Sequence, residues 1–294
     1  MNESGPIIRP KKTSNGDDIF VDVCSIAPNV WKAQRNGKYW VLKTSKKDDA
    51  ESEQLLEREY MILNELQHPF IASTFDFITD SPVGTAILME YVDGTNLRDF
   101  IAENPSIKTR KKVLNQILSA VEYLHNKDVL HNDIKPDNIL ITKVGQDVKI
   151  IDFGFSEKSA DYLNKRLGGT VGATAPEIMK NWEEIPSKAY SDIYSLGHII
   201  DLLFPKRLAG VKKKCLKVYP KERYQDIASL KRAIKRSYAL PKIVIFVLAA
   251  LLLISIGLTP NLYRHQKEVS ESNKLEASLK SVQDNMEIFL KQAA

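Results

Sequence analysis

At 294 residues the chain is long enough for one large or two modest domains, each with a real core. A composition that is 43% hydrophobic and 27% charged excludes a disordered polar chain, and a net charge of +5 is too small an excess to argue for nucleic acid. The two cysteines, Cys24 and Cys215, are far apart, which excludes a zinc site or a disulfide framework and suits a reducing compartment.

Residues 1–17 read as a polar tail, and Met1 to Asn15 lack the apolar stretch of a secretory signal. From Asp18 to Lys43 the pattern is short extended runs around the turn Arg35-Asn36-Gly37-Lys38, with Tyr39, Trp40 and Val41 as strand-type residues. Asp49 to Gln67 reads as a helix. Leu56, Tyr60 and Leu63 fall on one stripe, and His68-Pro69 ends it. Glu59 lies on or beside that stripe, so it is either a buried carboxylate that needs a partner or a solvated helix edge. Further strands are predicted around Ala72 to Ile78 and Thr85 to Tyr91.

Helices dominate thereafter. Thr109 to Asn126 is amphipathic, with Val113, Ile117, Ala120, Val121 and Leu124 on one side. Ile139 to Thr142 and Val148 to Ile151 form a short strand pair turned at Gly145, and Ser187 to Arg236 is mostly helical. A strand-rich small lobe (18–91) before a helix-rich large lobe (92–237) makes an α+β domain over 18–237, with a cleft between the lobes.

Ile243 to Leu258 then carries no charge, and the uncharged run continues to Tyr263. A bilayer core needs roughly 20 helical residues, so residues 241–261 are adequate as a single transmembrane helix. The alternative is a buried core helix, which would usually show a polar stripe; this segment shows none. Lys231, Arg232, Lys235, Arg236 and Lys242 precede it and only Arg264 and Lys267 follow closely. That bias places the N-terminal domain in the cytoplasm and residues 262–294 outside as a short helical tail. In the tail Leu275, Leu279, Val282, Met286 and Phe289 fall at 4-3-4-3 spacing, which fits a surface helix or a short dimerising one.

The chemistry is concentrated in His131-Asn132-Asp133-Ile134-Lys135-Pro136-Asp137-Asn138, followed by Asp152-Phe153-Gly154. This sets two carboxylates, a carboxamide and an ammonium on loops flanking the strand pair. Phosphoryl transfer from a nucleotide needs those groups, to hold magnesium by oxygen, neutralise charge and orient the attacking hydroxyl.

From Asp18 to Ala233 the chain resembles the eukaryotic-type serine/threonine protein kinase family. It carries the family's catalytic loop, its D-F-G, Ala175-Pro176-Glu177 in place of A-P-E, and Ser191-Asp192-Ile193-Tyr194-Ser195-Leu196-Gly197, similar to S-D-x-W-S-x-G. The resemblance implies a two-lobed kinase fold that uses ATP with Mg2+, or Mn2+ in its place. It implies Asp133 as catalytic base, Lys135 at the γ-phosphate, and Asn138 and Asp152 as metal ligands. Lys43 would contact the α- and β-phosphates, with Glu59 as its helix partner. Met89 would be the gatekeeper before the hinge backbone of Glu90 and Tyr91, with Val30 and Val41 above the adenine and Leu140 below it. Phe153, Gly154 and Thr170 would belong to the activation segment, and Arg223 would pair with Glu177. Lys135, together with Gly169-Thr170, resembles serine/threonine rather than tyrosine kinases, and Pro136 and Ala175-Pro176-Glu177 favour protein substrates. A compact domain on one short anchor fits a bacterial member of the family.

The chain departs from the family in three places. Where a G-x-G-x-x-G loop should precede Val30, it has Val23-Cys24-Ser25-Ile26-Ala27-Pro28 with no glycine; this weakens the grip on nucleotide and makes a pseudokinase scaffold the alternative. Asn132 replaces the arginine that meets an activation-loop phosphate, so ordering of residues 152–177 is expected not to depend on phosphorylation. Only 31 residues (223 − 192) separate Asp192 from Arg223, which leaves out a docking region and makes a small-molecule substrate a further alternative. Lys206, Arg207, Lys212, Lys213, Lys214 and Lys217 crowd this shortened region. They form either a solvated helix face or a contact with anionic lipid heads.

Overall fold

The computed structural model describes residues 20–46, 49–158, 174–179 and 187–293. Three strands open the fold, β1 (Val21–Ala27), β2 (Val30–Arg35) and β3 (Lys38–Thr44). Asn36 and Gly37, at φ +53° and +72°, turn β2 into β3 as a type I′ hairpin requires. Helix α1 (Ala50–Asn64) starts where the Asp49 side chain accepts from the Ser52 N–H. It stops short of Gln67, at the Glu65 cap, rather than running on to His68-Pro69. Strands β4 (Thr74–Ser81) and β5 (Gly84–Glu90) complete an antiparallel sheet of order β1-β2-β3-β5-β4. Its inner face packs Phe20, Val23, Ala33, Leu42, Ala86 and Leu88 into one cluster.

The chain then crosses into the helical lobe through β6 (Gly94–Asn96) and α2 (Leu97–Ala102), two short elements whose signal is too brief for periodicity to find. The long helix α3 (Ile107–Asn126) buries Val113, Ile117, Ala120, Val121 and Leu124 as its pattern predicts. After β7 (Val129–Leu130), β8 (Ile139–Thr142) pairs with β6 on one side and β9 (Val148–Ile150) on the other in a small sheet, and β10 (Glu157–Lys158) pairs with β7. The lobes are joined by backbone. Ile150 donates to Phe70 O at 2.9 Å, and Ala72 donates to Ile150 O at 3.0 Å.

Helix α4 (Pro176–Met179) precedes α5 (Ala189–Leu203), whose Ile193, Leu196, Ile199, Ile200 and Leu203 are all buried. Where the family fits a longer insertion, the chain uses one short helix, α6 (Ala209–Cys215), laid closely on α5. Gly197 permits that approach: a Cβ there would stand 2.8 Å from both Cys215 Cβ and Leu216 Cδ2. Cys215 and Cys24 are both free thiols, and burial pushes the Cys215 pKa up to about 12.

Helix α7 (Ile227–Ala293) ends the chain, and Ile227, Leu230 and Ile234 are buried in it. Residues Met1–Lys235 and Arg236–Ala294 form two compact units. In the second, the helix runs without a break at the ends expected at 241 and 261. Phe246–Gln283 is long and apolar enough to cross a membrane by length and composition, with hydropathy 1.9 over its most apolar window and none of that window buried.

Gly197→Ala forces α6 away from α5, and the expected cost is about 1–3 kcal/mol of stability, read as a lowered denaturant midpoint.

Candidate active site

Lys43, on β3, lies next to the cleft because its strand pairs with β2 on one side and β5 on the other. Its Nζ stands 2.6 Å from Glu59 Oε1 and 2.6 Å from Asp152 Oδ1. The open reading of Glu59 is thereby resolved: the side chain is buried, accepts from Lys43, and accepts from the Phe153 N–H at 2.9 Å. Burial alone would pull the Lys43 ammonium down, but the Glu59 and Asp152 carboxylates outweigh it and hold its pKa above the ordinary lysine value. Burial would likewise raise Asp152, and the Lys43 charge and hydrogen bond overcome this to hold it below the usual carboxylate range.

Asp133 is 1% exposed, and its Oδ2 accepts from Lys135 Nζ at 2.7 Å and Asn138 Nδ2 at 3.0 Å. Asn138 Nδ2 also donates to Asp133 O at 3.0 Å. These donations orient the amide, leaving its Oδ1 as the atom available to a cation. A carboxamide oxygen and the Asp152 carboxylate make a hard oxygen donor pair that suits Mg2+, an ion that keeps waters and phosphate oxygens as its remaining ligands. Among the described residues there is no cluster of three or more His, Cys, Asp or Glu side chains that could hold a metal on its own.

The catalytic loop is shaped by a carboxylate behind it. Asp192, fully buried on α5, accepts from the backbone N–H of His131 (3.0 Å) and Asn132 (2.8 Å) and from His125 Nε2 (2.8 Å). Burial would raise its pKa, and the hydrogen bond and charge of His125 hold it below the ordinary 3.8. Asn132 sits at φ +62° and Asp152 at φ +63°, a left-handed conformation that Asn and Asp tolerate better than most residues. The Asn132 side chain accepts from Ser187 Oγ at 2.8 Å and donates to Phe155 O at 3.3 Å. A neutral amide therefore ties the catalytic loop to both flanks of the activation segment. Phe153 packs against His131, ring centroids 4.7 Å apart. Thr170, and the rest of 159–173, lie outside the described residues.

At the nucleotide end, Met89 is buried on β5, while Val30, Val41, Tyr91 and Leu140 are half-buried. The Glu90 N–H is committed to Ser73 O at 2.9 Å, so that donor belongs to the sheet, and the Glu90 side chain accepts from Lys149 Nζ at 2.8 Å. Lys32 lies over both the Tyr39 and Tyr91 rings, at 3.8 and 4.5 Å from their centroids, putting a cation beside the hinge. The glycine-less stretch closes as a tight hairpin. Ala27 pairs with Val30, so Pro28 and Asn29 alone make the turn, with Asn29 at φ +59° as in a type II turn. Asn29 O accepts from the Thr44 N–H at 2.8 Å, pinning the hairpin tip to β3.

Further back, Arg223 donates to Glu177 Oε1 and Oε2 at 2.7 and 2.8 Å, both side chains fully buried. Its remaining donors reach Tyr190 O, Lys217 O and Val218 O. His125, the Asn132–Ser187 bond and the Lys149–Glu90 pair escape a reading of the sequence. Their partners lie 67, 55 and 59 residues away, with no local spacing to betray them.

A two-lobed fold with an ammonium, two carboxylates and a carboxamide converging on one cleft defines a nucleotide phosphotransferase architecture. The protein kinase domain family matches residues 29–252, and the chain belongs to that family. Serine/threonine-protein kinase cds1 of Schizosaccharomyces pombe is 31% identical over 206 residues, covering 64% of this chain and 44% of the relative. Serine/threonine-protein kinase GRIK2 of Arabidopsis thaliana is 34% identical over 200 residues, 60% of this chain and 49% of the relative. Calcium-dependent protein kinase 6 of Plasmodium berghei is 35% identical over 199 residues, 66% of this chain and 13% of the relative. The chain thus spans less than half the length of each of these relatives.

Arg223→Ala, which strands Glu177 in the core, is expected to cost about 3–5 kcal/mol in denaturant unfolding, and exchanging both partners for methionine less. Because the folded pKa of Asp192 is depressed, its contribution is complete above the ordinary 3.8 and lost as pH falls through the lower folded value. Denaturant midpoints followed into acid should show a steep fall for wild type and a shallower one for Asp192→Asn.

Proposed function

We propose that the chain is a serine/threonine protein kinase that transfers the γ-phosphate of ATP to protein hydroxyls, held to the cytoplasmic face of a membrane by its C-terminal apolar helix. The observation that carries this reading is the simultaneous closure of two sets. Lys43 is engaged with Glu59 and Asp152, and Asp133 is engaged with Lys135 and Asn138. In this reading Asp133 takes the proton from the attacking hydroxyl, and Lys135, 2.7 Å away, neutralises charge that grows on the transferred group. Lys43, oriented by Glu59, holds the α- and β-phosphates. Asn138 and Asp152 hold Mg2+, which when bound supplies charge to the phosphate oxygens. Met89, Val30, Val41 and Leu140 enclose the adenine, with the hinge backbone at Glu90 and Tyr91 beside it. Asn132 makes the active arrangement independent of a phosphate on the activation segment.

A second reading, a scaffold without phosphotransfer, is favoured by one observation: the Pro28-Asn29 hairpin is pinned to Thr44 and has no glycine to bring its amides to a phosphate. Labelled-ATP transfer by the full chain, wild type beside Asp133→Asn, separates the two. The kinase reading expects Mg2+-dependent labelling, lowered roughly 10²- to 10⁴-fold in the variant. No labelling by wild type, together with no ATP-induced rise in melting temperature, would establish the scaffold instead. A panel of sugars and lipids beside protein acceptors tests the substrate class.

A further inference from the structure

The segment joining α5 to α7 carries basic residues and, from Leu202 to Lys221, no acidic one. Helix α6 turns Val211 and Cys215 inward, so the lysines between and beyond them face out. Lys212 is neutralised by Asp201 at 2.7 Å, and Lys217 stands 3.6 Å from Glu222. Lys206, Lys213 and Lys221, by contrast, are exposed and have no ion-pair partner among the described residues. Lys214 is exposed too, over the Tyr224 ring at 4.6 Å. In the sequence between Lys217 and Lys221, Val218 and Tyr219 are 53% and 64% exposed.

This surface is rigid. Gly197 seats α6 against α5, and the buried Arg223 binds the carbonyls of Lys217 and Val218 at 2.7 and 2.9 Å, fixing the loop that presents Val218 and Tyr219. Lysines around an exposed aromatic and an exposed aliphatic side chain match a headgroup layer: the ammonium groups meet anionic headgroups while the apolar side chains enter the interface. Ile243, where the uncharged run starts, is only nine positions (243 − 234) beyond the buried Ile234, a reach of at most about 32 Å of chain.

We infer that the face formed by Lys206, Lys213, Lys214 and Lys221 around Val218 and Tyr219 is a docking surface for an anionic lipid bilayer. It rests on the reading of the apolar helix as a membrane anchor. Docking of this face fixes the orientation of the kinase domain on the bilayer, so local anionic lipid content sets how the cleft is presented.

The test uses the full chain with liposomes of phosphatidylcholine alone, or with about 30% phosphatidylserine. It follows labelling of Lys214 and Lys221 by a soluble amine reagent. Labelling should slow about fivefold or more on anionic relative to neutral liposomes, and about 0.5 M salt should restore it. In Lys206→Glu/Lys213→Glu, with peptide phosphorylation in detergent unchanged, the two liposome types should give equal rates. Equal rates for the wild-type chain overturn the surface, as does protection by a soluble acidic polypeptide with none by the anionic bilayer. Flotation reads the anchor separately. Flotation with both liposome types but equal labelling keeps the anchor and sinks the surface. Flotation with anionic liposomes alone, with slowed labelling, does the reverse, and flotation with neither sinks both.

Discussion

The cleft depends on carboxylates buried away from water, and Asp192 is the one that holds the loop leading into Asp133. A buried carboxylate is tolerated only when its oxygens are fully engaged. Asp192 meets that condition by taking the N–H groups of His131 and Asn132 and the His125 ring, all within 3.0 Å. Those two amides belong to a loop with no ladder of its own, so the charge on α5 supplies the partners a helix or sheet would otherwise supply. Removing it leaves Asn132, at φ +62°, without the bond that holds an uncommon backbone conformation. The same device recurs. Glu59 fixes the Phe153 N–H beside Lys43, and Glu177 anchors Arg223, whose other donors hold three backbone carbonyls. These three irregular segments are each tied to a helix by a buried acid.

Those acids explain what the sequence could and could not tell. The long helices and the β8–β9 pair were legible because periodicity and turn residues are local. The motif set containing Lys43, Asp133, Asn138 and Asp152 was legible because its spacing is specific. Glu59 was not legible from spacing alone. A carboxylate beside an apolar stripe has the same pattern whether it is solvated or buried, and the difference lies in an ammonium on another strand. Asn132 could be seen as a substitution, but its replacement partner could not, since Ser187 is a small hydroxyl 55 residues later. α1 ends before its expected place for a simpler reason: the Glu65 cap acts before Pro69. In α7 helical geometry continues past Pro241 and Pro260.

The phosphate end of the cleft is where a missing residue type turned out to carry a definite geometry. A loop lacking glycine could have been a long loop of poor grip. The chain instead closes the hairpin in two residues and spends the Asn29 carbonyl on Thr44. Proline and asparagine are the residues that such a turn asks for at its two corners, so the local sequence and the tight path agree. The hairpin has no glycine to bring its amides to a phosphate, and in the proposed reading the grip on the triphosphate rests on the groups beneath it.

That reading concentrates demands on Lys43 and Asp152. In a site with an amide cradle, backbone N–H groups share the phosphate charge with the lysine. Here the proposed phosphate contacts fall to Lys43, whose two carboxylate partners already lie at 2.6 Å, and to Lys135 at the transferred group. Binding a metal draws on the same Asp152 carboxylate that helps hold Lys43 charged, so the three groups act as one unit with coupled energetics rather than as separate contacts. Asp152 is well suited to that double duty. Its backbone stands at φ +63°, its Oδ1 is engaged by Lys43 and the Gly154 N–H, and its ionised form is favoured by the lysine. In the proposed reading the altered hairpin bears on the hold on nucleotide, while Asp133, Lys135 and Asn138, the groups proposed to act at the reacting oxygen, stay joined to one another.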